Sequence, residues 1–429
     1  MTTIYLATLG GAPTPVFYPL SRLPDLARAI FLASEESARS SQSHFAEVPD
    51  NIEVKIVTTP DPNDLVQCYE VFRKVLLNLP SHQTAPSSLL CNITGGTKPM
   101  SAALMMLATE FQLPMTYIGG AQRDKDGVGT VVPGHEKELP QQNPWKVLGL
   151  TEIRRVKNLW NSANFTAASD LLLKAAERTG SPLWTSLGRL AEAHAARLRF
   201  DFTTANKILK TVRRELPDNH PLQESLFQLR KTCETLANSS TPGKGNPSLL
   251  LNEILGSSAL AAEQNRFEDA AARLYRAIEF WAQLHLHEQS NGSYWNGQLR
   301  YYRNEDKTRG EPYSVPSPLT QPSFLETIRC RNPFPERLGL SDLFLALDAL
   351  GFSPAQLIAA DILQGRKRSR FLQLSEKRNA SILAHGTLAV TAEKFSEMNE
   401  SLRKLIPEFP PADSSLILPP DFQESWLAH

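Results

Sequence analysis

The amino-acid sequence predicts an α/β plus all-α protein: a Rossmann-like N-terminal half, a helical middle segment and an all-helical C-terminal domain. Three observations predict it. Over residues 1–145, short apolar runs alternate with longer helical patterns, the signature of a parallel sheet with crossover helices. From Asn143 onward the strand signal stops, and Ala, Leu, Arg and Glu recur at helical spacing through Leu236. The stretch NSSTPGKGNPS at Asn238–Ser248 reads as a linker, because its Gly, Pro and Ser sustain neither regular element.

Strands are expected at Thr3–Thr8, Ile52–Thr58, Ser88–Thr94 and Met115–Ile118, with a further one over Gly129–Pro133 inside a turn-rich stretch. Helices are expected between them at Leu23–Ser37, Asn63–Leu79 and Lys98–Gln112, the second opening with the capping-type residues Asp61 and Asn63. The middle helices break at Gly180–Pro182 and Pro217–Pro221. Past the linker, long helices are expected over Leu249–Glu288, Ser341–Leu350 and Phe371–Phe395, with a polar, proline-bearing insertion at Gln289–Ser323 after the first. Three fragments, starting at Asn164, Asp201 and Arg266, place Phe and then a small Ala three residues later. Helix pairs of tetratricopeptide type do this where helices cross closely, and so do ordinary helical hairpins; the irregular period leaves both open.

A chain of 429 residues is long for one core, so two or three compact units are expected. Apolar residues at 41% and charged residues at 21% suit a folded interior and exclude wholesale disorder. Lys+Arg and Asp+Glu both number 45, so no global field draws the molecule onto nucleic acid, and any phosphate site must be a local patch. The four cysteines, Cys68, Cys91, Cys233 and Cys330, lie far apart, which suggests neither a zinc site nor a disulfide framework and fits a reducing cytoplasm. The start MTTIYLATLGGAP has no basic leader, and no run of about 18 uncharged apolar residues occurs, so neither export nor a membrane partner is expected.

Two stretches carry chemistry. The first is Asn92-Ile-Thr-Gly-Gly-Thr-Lys98, at the end of a buried strand and the start of a helix. Ligands of doubly wound sheets collect at such carboxyl ends, and free N–H groups at a helix start favour phosphate or ribose oxygens. Gly95 and Gly96 would let a ligand approach the backbone, while Thr94, Thr97 and Lys98 would add hydroxyls and positive charge. Gly10, Gly11 and Thr14, after the first strand, would form the facing wall, with Gly119 and Gly120 near its edge. This is not a Walker A loop, since Thr97 precedes Lys98 and Pro99 follows it, and no G-x-G-x-x-G follows the first strand. Nicotinamide and ATP-hydrolysing readings therefore lose their footing.

The second is Arg378-Asn-Ala-Ser-Ile-Leu-Ala-His385. On a helix, seven residues make nearly two turns, placing Arg378 and His385 on one face with about 10 Å of rise between them. A histidine suits proton transfer near neutrality, a guanidinium offsets charge on phosphate oxygens, and Asn379 could orient either by hydrogen bonding.

Together, the Asn-x-Thr-Gly-Gly-Thr-Lys turn and the R-N-x5-H stretch resemble the CRISPR-associated Rossmann-fold (CARF) plus HEPN ribonucleases that accompany type III CRISPR complexes. The resemblance implies a CARF ligand-sensing domain at 1–145, a possibly tetratricopeptide-like helical connector at 146–240 and a HEPN ribonuclease domain at 249–429. It implies that a CARF pocket, completed across a homodimer, binds cyclic oligoadenylate as an allosteric activator, with Thr94, Gly95, Gly96, Thr97 and Lys98 inheriting that role. It further implies metal-independent cutting of single-stranded RNA in antiviral defence. The RNA 2′-hydroxyl would attack its own phosphate and leave a 2′,3′-cyclic phosphate, with Arg378, Asn379 and His385 as the matching catalytic residues and no cofactor. Two rival readings stand beside it: a HEPN half that only binds RNA or a partner, and a sensor that also degrades its own ligand. The six residues between Arg378 and His385 exceed the commonest spacing of four.

Lesser features have plainer readings. Arg366, Lys367, Arg368 and Arg370 precede the proposed catalytic helix and would hold RNA phosphates, or simply be a solvated helix start. The aromatics interleaved with arginines over Tyr294–Arg303 read as packing against the domain before they read as a stacking platform. His285 and His287 diverge by about 200° on a helix, which argues against a metal site. Glu279 would support the active helix or pair with Arg276.

Overall fold

The structure is a computed structural model that describes residues 3–427 apart from 24, 47, 80–87, 121, 124–130, 133, 148, 240–244, 304–308 and 380–386. The chain divides into two compact units, one of residues 1–155 with 177–180 and one of residues 156–176 with 181–429.

The first unit is a six-stranded sheet in the order β3-β2-β1-β4-β5-β6. Its strands are β1 (Thr3–Leu9), β2 (Leu26–Ala33), β3 (Glu53–Thr58), β4 (Leu89–Asn92), β5 (Met115–Gly120) and β6 (Glu136–Gln141). All neighbouring pairs are parallel except β5 with β6. Central β1 runs Ile4-Tyr-Leu-Ala-Thr-Leu9 buried on both faces, as a parallel strand covered by helices must be. One face packs on helices α1 (Leu65–Leu77) and α2 (Lys98–Glu110) through Phe72, Leu104 and Leu107, and the other on Val16, Phe17 and Phe45. Edge strand β3 is mostly exposed, and its Glu53 pairs with Arg28 of β2.

One expectation needs correction here. The helix read over Leu23–Ser37 is strand β2 followed by a short helix at Glu35–Ser40. LARAIFLA is made of good helix formers, yet its apolar half pairs with β1 and β3 and is buried on both faces, so the sheet overrides propensity. The strand read over Gly129–Pro133 lies mostly outside the described residues; its described Val131 forms an isolated bridge to Arg123, and an antiparallel edge strand lies further on as β6. The cap of α1 is Asp64, which accepts from the N–H groups of Val66 and Gln67 at 2.8 and 3.0 Å, while Asp61 turns the chain before it by accepting from Asn63 N–H.

The second unit is helical. Helix α3 (Leu150–Asn161) leads into it, followed by α4 (Phe165–Thr179), α5 (Pro182–Leu198), α6 (Phe202–Glu215), α7 (Gln223–Ala237), α8 (Pro247–Glu263), α9 (Phe267–Gln289), α10 (Leu340–Ala349), α11 (Gln356–Leu363), α12 (Arg370–Asn379) and α13 (Ala392–Leu405). The three similar fragments each open a helix, at Phe165, Phe202 and Phe267, just after a residue in the left-handed region, Ala163, Phe200 or Asn265. Such a residue reverses the chain within three positions. For that reason the expected single helix over Leu249–Glu288 is the hairpin α8–α9, broken at 264–266 although no glycine or proline marks the break. The expected helix over Phe371–Phe395 is likewise interrupted: α12 is described as far as Asn379, described residues 387–391 are not helical, and Thr391 caps α13 through the N–H of Lys394. The insertion after α9 forms two small hairpins, the first turning at Asn296-Gly297 with positive φ at both residues.

The core of this unit lies between α8, α9, α10 and α11, around Trp281, Phe344, Ile358 and Phe371. The middle helices are tied to it by a buried ion pair. Arg197 of α5 and Glu253 of α8 have side chains 8% and 4% exposed, and the guanidinium binds both carboxylate oxygens. It also donates to the carbonyls of Ile417 and Leu416 at 3.0 and 3.4 Å. The C-terminal segment then runs back over the middle helices: Trp160 Nε1 donates to Pro420 O at 3.0 Å, the Phe422 N–H to Asn161 at 2.9 Å, and Phe422 and Trp426 pack against Trp160.

Two predictions follow from this packing. Replacing Glu253 by Ala strands a buried guanidinium and should cost about 3–5 kcal/mol. A joint Arg197→Met/Glu253→Leu change should recover most of that loss in urea unfolding; equal losses for both variants would contradict the ion-pair account. His194 sits between Trp160 and Phe165, and burial first, then the Arg197 charge, lowers its pKa from 6.5 to about 3. Below 6.5 the unfolded chain binds a proton that the folded ring refuses until about 3, so stability should be lost as the pH is lowered through that window. The expected slope is about 1.4 kcal/mol per pH unit from this one group. Melting curves of a His194→Gln variant should show that slope removed.

Candidate functional site

The sheet order places β1 beside β4, and the chain leaves them towards opposite ends of the sheet; at such a switch point two loops diverge and a crevice opens. Gly10, Gly11, Thr94, Gly95 and Gly96 line one cavity there, of about 200 Å³. Tyr117, Ile118, Arg123 and Val131, which sequence reasoning missed, complete its wall with Ala12 and Pro15.

The turn after β4 is built by hydrogen bonds before any ligand arrives. Asn92, fully buried, accepts from the Thr94 N–H at 2.8 Å, and Thr94 Oγ1 in turn accepts from the Ile118 N–H at 2.7 Å. The hydroxyls of Thr8 and Ser101 both donate to Gly95 O at 2.6 Å. Gly95 is pressed against the Thr8 carbonyl and the Val16 side chain, and Gly96 has φ +81°, so both positions demand glycine. A Cβ on Gly10 would lie 2.8 Å from Gly96 N, which means the two loops touch backbone to backbone. Beneath them, Asn92 Nδ2 donates to the buried Tyr5 hydroxyl at 2.5 Å, and that hydroxyl donates to Val16 O at 2.7 Å. Burial pushes the Tyr5 phenol far up and the Cys91 thiol up to about 12, so neither ionises near neutrality.

Thr14, Thr97 and Lys98 do not line the cavity. Thr97 spends its oxygen capping α2, accepting from the Met100 N–H at 3.3 Å, and donates its own proton to Pro62 O. Lys98 and Thr14 are exposed, each the first residue of its helix. Gly119 and Gly120 stay in β5. The charge facing the cavity comes from Arg123, whose guanidinium donates to the Tyr117 hydroxyl at 3.3 Å. Its position three residues past the end of β5 gave no sequence signal.

In the second unit, Arg378 and Asn379 are the last described residues of α12, and His385 lies outside the described residues. The start of α12 is strongly fixed. Buried Asp361 of α11 accepts from the Ser369 hydroxyl at 2.6 Å and from the N–H groups of Arg370 and Phe371 at 3.1 and 3.0 Å. Further on, Glu268 of α9 accepts from the Val390 N–H at 2.6 Å. The chain is thus anchored on both sides of 380–386. Beside α12 opens a groove of about 580 Å³ lined by Tyr275, Arg276, Glu279, Gly339, Asp342 and Ser375. The Tyr275 hydroxyl donates to Ser375 Oγ at 3.2 Å, and burial raises the Asp342 carboxyl above its ordinary value.

Arg366, Lys367, Arg368 and Arg370 are exposed around the turn before α12, with Arg366 3.9 Å from Glu376. Glu279 pairs with Arg276 at 3.0 Å. His285 stacks on Phe352 and meets Glu288 at 3.1 Å, whereas His287 Nδ1 lies 2.6 Å from Tyr294 O, so the two rings serve separate local contacts. Tyr294 is fully buried, while Tyr302 is exposed and stacks on Tyr313.

The glycines give a direct check of this geometry. Gly95→Ala should lower stability by about 1–3 kcal/mol through overpacking against Thr8 and Val16. Gly11→Ala, whose Cβ meets nothing within 4 Å, should change it by less than about 0.5 kcal/mol. Denaturant midpoints of the two variants should differ accordingly, and equal midpoints would refute the close approach at Gly95.

Residues 241–408 match the family described as the Csm6 HEPN domain, which supports the HEPN part of the sequence resemblance; the matched span contains the Arg378–His385 stretch. No protein of curated function matches the sequence. Among solved structures, the chain is similar to Csm6 of Enterococcus italicus bound to cyclic hexa-2′-fluoro-hexa-dAMP, at 11% identity and a TM-score of 0.47, over 99% of this chain and 96% of that one. It is also similar to Can2 of Sulfobacillus thermosulfidooxidans in complex with cyclic tetra-adenylate, at 18% identity and a TM-score of 0.24, over 40% of this chain and 54% of that one.

Proposed function

We propose that the protein is a cyclic-oligoadenylate-activated, metal-independent single-stranded RNA endoribonuclease of type III CRISPR antiviral defence, acting as a cytoplasmic homodimer. The observation that carries this reading is the match of 241–408 to a HEPN domain across the R-N-x5-H stretch. The sensor reading is supported by a cavity at the switch point whose wall combines exposed turn backbone with the Arg123 guanidinium, a surface suited to phosphate and ribose oxygens. A cyclic oligoadenylate exceeds that cavity, so part of it would lie outside and reach Thr14, Thr97 and Lys98. In this reading, 1–145 senses, 146–240 connects and 249–429 cuts.

For cutting, the RNA 2′-oxygen forms a bond to its adjacent phosphorus as the bond to the 5′-oxygen breaks. The 2′-hydroxyl proton is removed, and the departing 5′-oxygen gains one. His385 handles these protons, Arg378 offsets charge on the phosphorane oxygens, and Asn379 orients the two. The exposed cations Arg366, Lys367, Arg368 and Arg370 hold flanking RNA phosphates. Activation requires that the ligand bind the active arrangement better than the idle one.

The test is incubation of the full chain with labelled single-stranded RNA, cyclic tri-, tetra- or hexaadenylate, and EDTA. Products ending in a 2′,3′-cyclic phosphate are expected with one ring size, and His385→Ala should slow cleavage by about 10²–10⁴-fold. RNA that is bound but never cut would leave a binding module instead. Chromatography of the ring after incubation reports whether the sensor also opens its own ligand.

A further inference from the structure

The middle helices carry a charged concavity that the two sites above do not use. Lys210, Arg213 and Arg214 stand at spacings of three and four residues near the end of α6, which puts them on one helical face. Arg230 faces them from the neighbouring helix α7, and with Asp218 and Gln223 the four cations line a pocket of about 500 Å³. Basic residues at a helix end often do no more than complement the helix dipole. Here two further observations weigh against that reading. Among the described residues no carboxylate pairs with Lys210, Arg213 or Arg214, because the nearby acids are taken: Glu215 by Arg189 and Glu234 by Arg230. The pocket is also held in shape. Gln223 Nε2 donates to the carbonyls of Arg213, Leu216 and Pro217 at 3.0–3.2 Å, closing the α6–α7 turn, and the Arg213 guanidinium lies 5.0 Å over the Phe227 ring.

We infer that this pocket binds the phosphate backbone of single-stranded RNA, outside the cutting site. In a chain of zero formal charge, Lys210, Arg213 and Arg214 around one Asp, beside an Arg230 already paired with Glu234, are a local excess that attracts a polyanion. An arginine laid on an aromatic ring beside a phosphate track suits single strands, whose unstacked bases find a platform there. The inference rests on the RNA reading above and adds a second point of attachment, which would raise the affinity for RNA long enough to span both sites.

The experiment measures fluorescence anisotropy of a labelled single-stranded RNA against the full chain in an His385→Ala background, over a range of salt. Lys210→Ala/Arg214→Ala should weaken binding and lower the slope of log affinity against log salt by about 1.4, two cations at about 0.7 each. A control pair from the first unit, Arg22→Ala/Arg39→Ala, should leave the slope unchanged. An unchanged slope in the first variant, or an equal drop in the control, overturns the inference; so does polyglutamate binding as tightly as RNA, which would assign the pocket to an acidic protein. Cleavage by the chain with His385 intact separates the two claims. RNA cut normally while the slope stays fixed removes only this pocket, whereas RNA neither bound nor cut removes the ribonuclease reading as well.

Discussion

Arg197 and Glu253 are both withdrawn from water, and losing either partner would leave the other without its compensating group in a buried site, a strongly destabilising arrangement. Burial alone would neutralise the carboxyl and raise its pKa; the guanidinium opposes this by binding both oxygens. Because one partner belongs to α5 and the other to α8, the pair fixes where the middle helices meet the C-terminal helices. Its remaining donors reach the carbonyls of Leu416 and Ile417, so the C-terminal segment is fixed by the same charge. Gly256, one turn along α8, lets Ile417 and the Asp413 carbonyl approach that helix closely. The core around Trp281 and the aromatic cluster around Trp160 are consequently parts of one folded unit, although a linker-like sequence lies between their helices.

The sensor-like unit follows a different logic. Nothing charged is buried at its pocket floor; instead, a chain of neutral hydrogen bonds runs from Val16 O through Tyr5 and Asn92 to the Thr94 N–H. Each member is satisfied, which is what makes a buried polar network rigid rather than costly. The turn therefore holds its N–H groups in place without a ligand, and the entropy of ordering it is already spent.

Much of this was legible in the sequence. Four strands, the helices after β3 and β4, and the Asn92–Lys98 turn could be read because apolar runs, caps and paired glycines are local signals. Strand β2 could not, since Leu26–Ala33 has helix-forming composition and becomes a strand only by pairing on both sides. The break at 264–266 was hidden because Asn265 takes the left-handed region without glycine. At the site, backbone donors and glycines were visible in the motif, but nothing in the sequence marks Tyr117 within β5 or Arg123 beyond it as wall residues. Thr97 and Lys98 were assigned by residue type, whereas capping and exposure decide their placement. The Arg378–His385 stretch was read as helical; Arg378 and Asn379 are in α12, and residues 380–386 lie outside the described residues.

The edges of the sheet carry one more consequence. On one side the last strand, β6, runs antiparallel to its neighbour; on the other, β3 presents Glu53 and Lys55 among its exposed positions. A like strand laid along β3 would have to desolvate those charges, and nature commonly blunts open borders in this way to prevent ribbon-like polymerisation. Self-association of this unit would accordingly favour contacts between faces and loops over a continuous intermolecular sheet.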